Sequence, residues 1–255
     1  MKKSKVGTWL FVIIVWLILA GMVSFGGFIL INVNYQVTLE DEIWTIENEM
    51  SDEYVDEYFL NERFNTIVSD GNYKDVEKAI KTYLKEYYNT YKSIRTISEN
   101  DKITSILSYE NMLMDGPNFE TSIPYAEKVI NKLNELKETE EKLYNRDYYM
   151  NFYEGKDSFY KEYYEEQIKD YLDNQKSIKE DMEEVIKIIA LEKEILVFLK
   201  DNQNSWSLQN KNIYFTDQNV EREYYLLINK FSESEESVDL WRNFLKASKV
   251  LLKVF

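Results

Sequence analysis

Apolar residues follow two regimes along this chain. From Val6 to Ile31, 26 consecutive positions carry no charge, and they include Trp9, Leu10, Phe11, Trp16, Leu19 and Phe28. Beyond that run, apolar residues recur at every third or fourth position, separated by Glu, Lys, Asn and Asp. A helix needs about 20 apolar residues to cross the hydrocarbon core of a bilayer. The first regime is long enough, and Trp, Ile and Leu cover all of its faces, unlike a one-sided core helix. The second regime is the pattern of amphipathic helices.

The helices can be placed in order. Thr38-Leu39-Glu40-Asp41 supplies a cap and first-turn acids, followed by Leu39, Ile43, Ile46 and Met50 at helical spacing. The helix continues or restarts at Ser51 and runs to Val68, before the turn Asp70-Gly71-Asn72. Tyr73 to Ile97 carries the stripe Val76, Ile80, Tyr83, Leu84, Tyr87, Tyr91, Ile94. A short helix from Asp101 (Ile103, Ile106, Leu107, Leu113) ends at Asp115-Gly116-Pro117. Ser122 then caps a helix with Ala126, Val129, Leu133, Leu136 and Leu143 on one face, Pro124 being tolerated in its first turn.

After the break at Glu154-Gly155-Lys156-Asp157, the longest element is predicted over residues 158–200. Its apolar positions alternate spacings of three and four from Tyr164 to Leu199, with Gln175 and Glu192 as polar insertions, as in a coiled-coil seam. Residues 122–200 thus predict a long antiparallel helical hairpin, either projecting or part of a bundle. Trp206-Ser207-Leu208 and Ile213-Tyr214-Phe215 flank Asn210-Lys211, which predicts a small β-hairpin near 205–216 that must pack on helices to be stable. Thr216 or Asp217 caps a helix with Val220, Tyr224, Leu227, Ile228 and Phe231, and a last helix runs from about Val238 to Phe255. The predicted fold class is all-α: a single N-terminal transmembrane helix, then an elongated helical bundle with a coiled-coil-like hairpin.

Charge sets the topology. Lys2, Lys3 and Lys5 precede the apolar run, while Glu40, Asp41 and Glu42 follow it. Basic flanks stay cytoplasmic, so residues 1–5 form a cytoplasmic tail, 6–31 a membrane anchor and 32–255 an extracytoplasmic acidic helical domain. The competing reading is a cleaved signal peptide, with Ser24 and Gly26 at the cut. The run continues through Phe28-Ile29-Leu30-Ile31, which is long for a signal. Gly21-x-x-x-Phe25 is not a pair of small residues, so it gives no dimerisation motif.

Composition then removes function classes. Of 46 acidic and 31 basic residues, only three lysines precede the anchor, so the exterior part is strongly acidic. Phosphate backbones would be repelled, which argues against a nucleic-acid partner; basic proteins and divalent cations are accommodated. Histidine and cysteine are both absent. Their absence excludes Ser-His-Asp and Cys-His catalysis, thiolate or histidine metal sites, disulfides and lipidated cysteine. No Gly-rich phosphate loop or calcium loop occurs, and no cofactor is expected. The Asn, Lys, Ile, Tyr and Glu usage suggests an AT-rich genome such as that of a low-GC Gram-positive bacterium. In general layout the chain resembles single-span, helix-rich envelope proteins of such bacteria.

Three features are candidates for function. Arg242, Lys246, Lys249 and Lys253 form one basic stripe on the last helix, with apolar residues over the remaining circumference. The stripe suits a membrane interface or a partner, and equally a closing helix that meets an acidic bundle. Glu-Tyr-Tyr occurs at residues 86–88, 162–164 and 223–225, as core tyrosines or as an aromatic patch for glycan rings. Acids cluster at Asp52-Glu53/Asp56-Glu57, Glu162/Glu165-Glu166 and Glu180-Asp181/Glu183-Glu184, as solvated faces or as seats for a divalent cation. The expectation is a non-enzymatic scaffold, adaptor or assembly factor at the bacterial cell envelope, binding a protein partner or itself through helical surfaces. The alternative is a wall-glycan-binding protein or a carboxylate-dependent cell-wall hydrolase.

Overall fold

A computed structural model describes residues 30–50, 55–98, 100–173 and 178–235. The first 29 residues, and with them Trp9, Leu10, Phe11, Trp16, Leu19 and Phe28, lie outside the described residues. So do Arg242, Lys246, Lys249 and Lys253. Among the described residues the chain is mostly helical, with one two-stranded antiparallel sheet. No described helix is long and apolar enough to cross a membrane.

Helix α1 (residues 30–50) buries Leu39, Ile43, Ile46 and Met50, the four positions its spacing selects. Helix α2 (Glu57–Asn65) starts where the Asp56 carboxylate accepts the Phe59 N–H at 3.0 Å, and it is shorter than the predicted run to Val68, which is exposed. Gly71 turns the chain at φ +60, a conformation that favours glycine, and its N–H is held by the Asp70 carboxylate. Helix α3 (Tyr73–Ser98) buries every predicted stripe residue from Val76 to Ile94.

The helix expected from Asp101 is divided into α4 (Asp101–Thr104) and α5 (Tyr109–Asp115), because the Ser108 hydroxyl accepts the Asn111 N–H and starts a new helix. The register shifts with it: Met112 is buried and Leu113 is exposed. Helix α6 (Ser122–Leu143) is not capped by Ser122. The Asp115 carboxylate accepts from the Ser122 N–H (2.7 Å), the Ser122 hydroxyl (2.6 Å) and the Thr121 N–H.

The predicted single helix over 158–200 is replaced by α8 (Ser158–Asp173) and α9 (Lys179–Asp201), after the short α7 (Arg146–Met150). Ile178 leaves helical geometry, and its N–H donates to the buried Glu140 carboxylate on α6 at 2.9 Å. A tertiary acceptor therefore fixes the start of α9. The helical hairpin survives in another form: α6 and α9 run antiparallel, with cross-pairs Glu127–Lys193, Lys137–Glu183 and Glu141–Lys179. Helix α8 packs instead on α3, and α6 packs on both α9 and α3, so the hairpin belongs to the bundle and does not project from it.

Strands β1 (Trp206–Gln209) and β2 (Asn212–Phe215) form the predicted hairpin, with Trp206 opposite Phe215 and Leu208 opposite Ile213. Asn210 and Lys211 both take positive φ, as a two-residue hairpin turn requires. The Trp206 indole stacks 6.1 Å from Phe119 and donates to the Leu199 carbonyl, which fastens the hairpin to the bundle. Helix α10 (Gln218–Glu235) lies along α9. Flanked by α6 and α10, α9 buries Ile188 and Ile195 beside its seam, a wider stripe than a two-helix coiled coil needs.

Candidate functional site

Polar and aromatic groups at the α1–α3–α8 end are largely committed to one another. Lys81 is 1 % exposed; its ammonium meets Glu42 at 2.7 Å and Glu77 at 2.6 Å and donates to the Thr66 carbonyl at 2.5 Å. Glu42 also holds Arg63 at 2.6 Å. Glu77 accepts from the Val68 and Ser69 amides and the Ser69 hydroxyl. Burial alone would raise the Glu77 carboxyl, but the bonds from Lys81, Ser69 and Val68 bring it below its ordinary range. This cluster joins α1, α2 and α3, and each charge has a partner.

The tyrosines form the neighbouring core. Tyr87 stacks on Tyr91 at 4.2 Å and meets Tyr171 edge-on at 5.1 Å, while Tyr83 contacts Tyr149 and Tyr171 at 6.2 and 6.1 Å. Tyr91 donates to Glu140 and Tyr164 to the Tyr149 carbonyl. Desolvation holds the phenols of Tyr83, Tyr87, Tyr91 and Tyr171 well above the ordinary tyrosine range, so they are neutral hydrogen-bonding rings and not proton carriers.

A small cavity of about 180 Å³ sits between α1, α3 and α8. Glu47, Asp170 and Gln167 line it with Tyr171 and Ile168. Desolvation pushes the Glu47 carboxyl up to about 7. A carboxylic acid poised near neutrality has the property a general acid needs, although this space is tight for a sugar ring.

A larger cavity, about 560 Å³, opens at the other end between α5, the β-hairpin and α10. Tyr109 and Met112 come from α5, Tyr214 and Phe215 from β2, and Tyr224, Tyr225 and Ile228 from α10, with Lys211, Asn212 and Glu221 as its polar lining. Phe215 and Tyr224 pack at 5.0 Å, and burial pushes the Tyr224 phenol up to about 12. Tyr214 and Tyr225 stand 45 % and 50 % exposed. Each strand pairs only with the other among the described residues, so each keeps one edge. An aromatic-walled concavity with much polar surface suits an extended polypeptide or a flat ring. Among the described residues Glu221 is its one carboxylate.

The sequence candidates distribute unevenly over these sites. The Glu-Tyr-Tyr triplets each bury a ring, Tyr87, Tyr164 and Tyr224. Their companions diverge: Tyr88 is buried, Tyr163 donates to Glu40, and Tyr225 enters the cleft. The acidic clusters are dispersed. Asp56 caps α2, Glu57 meets Lys92 and Glu183 meets Lys137. Glu165 is gripped by Arg146 and Lys169, which hold its carboxyl down at about 2. Among the described residues no group of three or more acidic side chains is placed to hold a metal ion. The basic stripe of Arg242, Lys246, Lys249 and Lys253 is outside the described residues, as are Asp52 and Glu53. The sequence does not single out the cleft as a whole; its traces are the Glu223-Tyr224-Tyr225 triplet, two of whose rings line it, and the hairpin that carries Tyr214. Set against protein-family models, curated proteins and solved structures, the chain matches none of them.

Proposed function

We propose that this chain is a non-enzymatic binding module at the bacterial cell envelope: a scaffold, adaptor or assembly factor that holds a protein partner through the aromatic cleft. The apolar run over 6–31 anchors it in the membrane with residues 1–5 cytoplasmic, and the acidic domain is displayed outside. The observation that carries the reading is the cleft, where Tyr214 and Tyr225 are half exposed on and beside a two-stranded sheet whose outer edges pair with nothing among the described residues. Tyrosine supplies rigid contact area at low entropy cost, as is common at interfaces.

The test is photo-crosslinking in cells from positions 214 and 225 of the full chain. Recurrent capture of one protein, lost in the Tyr214→Ala/Tyr225→Ala variant, supports the reading. Capture of wall glycan without protein overturns it in favour of glycan binding. The hydrolase alternative rests on Glu47 and Asp170 lining one cavity, and it predicts wall-degrading activity that disappears in Glu47→Gln.

A further inference from the structure

Helix α10 carries a second concavity on its other side. Val220, Tyr224, Leu227 and Phe231 form its inward seam, and Tyr225 and Ile228 flank that seam toward the aromatic cleft. On the opposite flank Leu226 is 57 % exposed. There a groove of about 410 Å³ runs between α9 and α10, with Val197, Phe198, Leu226 and Leu227 as its apolar lining. Its charged residues are Glu194, Asp201 and Glu223, with Lys230 as the single cation. The groove therefore mixes apolar and charged walls and is net acidic.

We infer that this groove is the seat of the chain's own residues 240–255, a site independent of whatever occupies the aromatic cleft. That segment begins five residues after α10 ends at Glu235 and contains no acid. Read as a helix, it places Trp241, Phe244, Leu245, Ser248, Leu252 and Phe255 on one side. Arg242, Lys246, Lys249 and Lys253 run along another. Sixteen helical residues span ~24 Å, while the α10 wall of the groove, from residue 223 to 230, needs only ~11 Å. Seated antiparallel to α10, the segment would bring Leu245 beside Lys230, Ser248 beside Leu227 and Leu252 beside Glu223. The apolar side then covers Phe198 and Leu226, and Lys249 and Lys253 come to the end carrying Glu223 and Asp201. Apolar area and opposite charge are thus matched along one register. A basic stripe held in this way is withdrawn from anionic lipid.

The chain has no cysteine, so a designed pair reports without interference. The full chain, reconstituted in vesicles containing anionic lipid, is oxidised as the Leu226→Cys/Ser248→Cys variant and separately as Tyr225→Cys/Ser248→Cys. Both positions on α10 are surface-exposed, so neither change threatens folding. Expected is an intrachain disulfide in most of the first variant and at least fivefold less in the second. Adding Lys249→Glu and Lys253→Glu should lower the first yield severalfold. A disulfide between two chains would assign the groove to a second copy and overturn the inference. Equal bonding from Tyr225→Cys would place the segment in the aromatic cleft and overturn it too. A bond formed in detergent but lost in the vesicles would give the segment to the membrane, again overturning it.

Discussion

The two ends of this molecule use the same residue types to opposite effect. At the α1–α3–α8 end, tyrosines and charges face inward. Tyr83, Tyr87 and Tyr171 pack ring on ring, and Lys81 is closed between two carboxylates. At the hairpin–α10 end, Tyr214 and Tyr225 stand half in water around an open cleft. Burying a polar group is tolerable only when every hydrogen-bonding position is filled. The Lys81 cluster at the first end meets that condition, and that end is built for stability. The second leaves ring faces uncovered, an arrangement with little stabilising value that suits binding. The difference teaches that composition alone does not assign a role to tyrosine here; the number of helices packed around it does.

The sharpest way to break this comparison is Lys81→Ala. It leaves Glu77 buried without its cation and Glu42 with Arg63 alone, so we expect a loss of about 3–5 kcal/mol, measured by urea unfolding at neutral pH. A loss below about 1 kcal/mol would remove the distinction between the two ends. Next in size is the pH response of Glu47. Its folded pKa of about 7 lies above its unfolded value, so the folded state binds the extra proton between about 4.5 and 7. Stability therefore falls as pH rises through that window, by at most about 3 kcal/mol. Glu47→Gln should flatten that slope and stabilise the protein at pH 8; an unchanged slope would assign the dependence elsewhere. Glu77 acts in the opposite sense, since its lowered carboxyl contributes stability above its unfolded pKa that is lost as pH falls below it. The smallest effect sharpens the comparison from the open end: Tyr214→Ala with Tyr225→Ala should change stability by no more than about 0.5–1 kcal/mol while abolishing capture of the partner. A thermal melt beside the crosslinking assay separates the two outcomes.

Much of the bundle is legible in the chain. The stripes of α1, α3, α6 and α10 and the β-hairpin follow from spacing, because each faces the core with one side. What spacing misses is set by contacts between distant residues. Nothing in residues 158–200 announces that Glu140, on another helix, takes the Ile178 amide and starts α9 there. Likewise Asp115 reaches across six residues to cap α6, a job that a local reading gives to Ser122. Glu77 and Lys81 look like an ordinary solvated pair at i, i+4. They are interior because α1, α2 and the 66–69 loop cover that side of α3. The cleft is harder still. Tyr224 and Tyr225 are neighbours in sequence, and only the placement of β2 against α10 decides that one is buried and the other open.

Helix α1 has a mechanical consequence. It contains no glycine or proline, and it is fastened side-on: Asn32 to Tyr160, Glu40 to Tyr163, and Glu42 to both Lys81 and Arg63. A pull delivered at residue 30 therefore loads these bonds together in shear along the helix axis, with no hinge to absorb it within α1. The helix acts as a keel: tilt or torque applied at residue 30 is passed side-on to α8, α3 and α2 through these bonds.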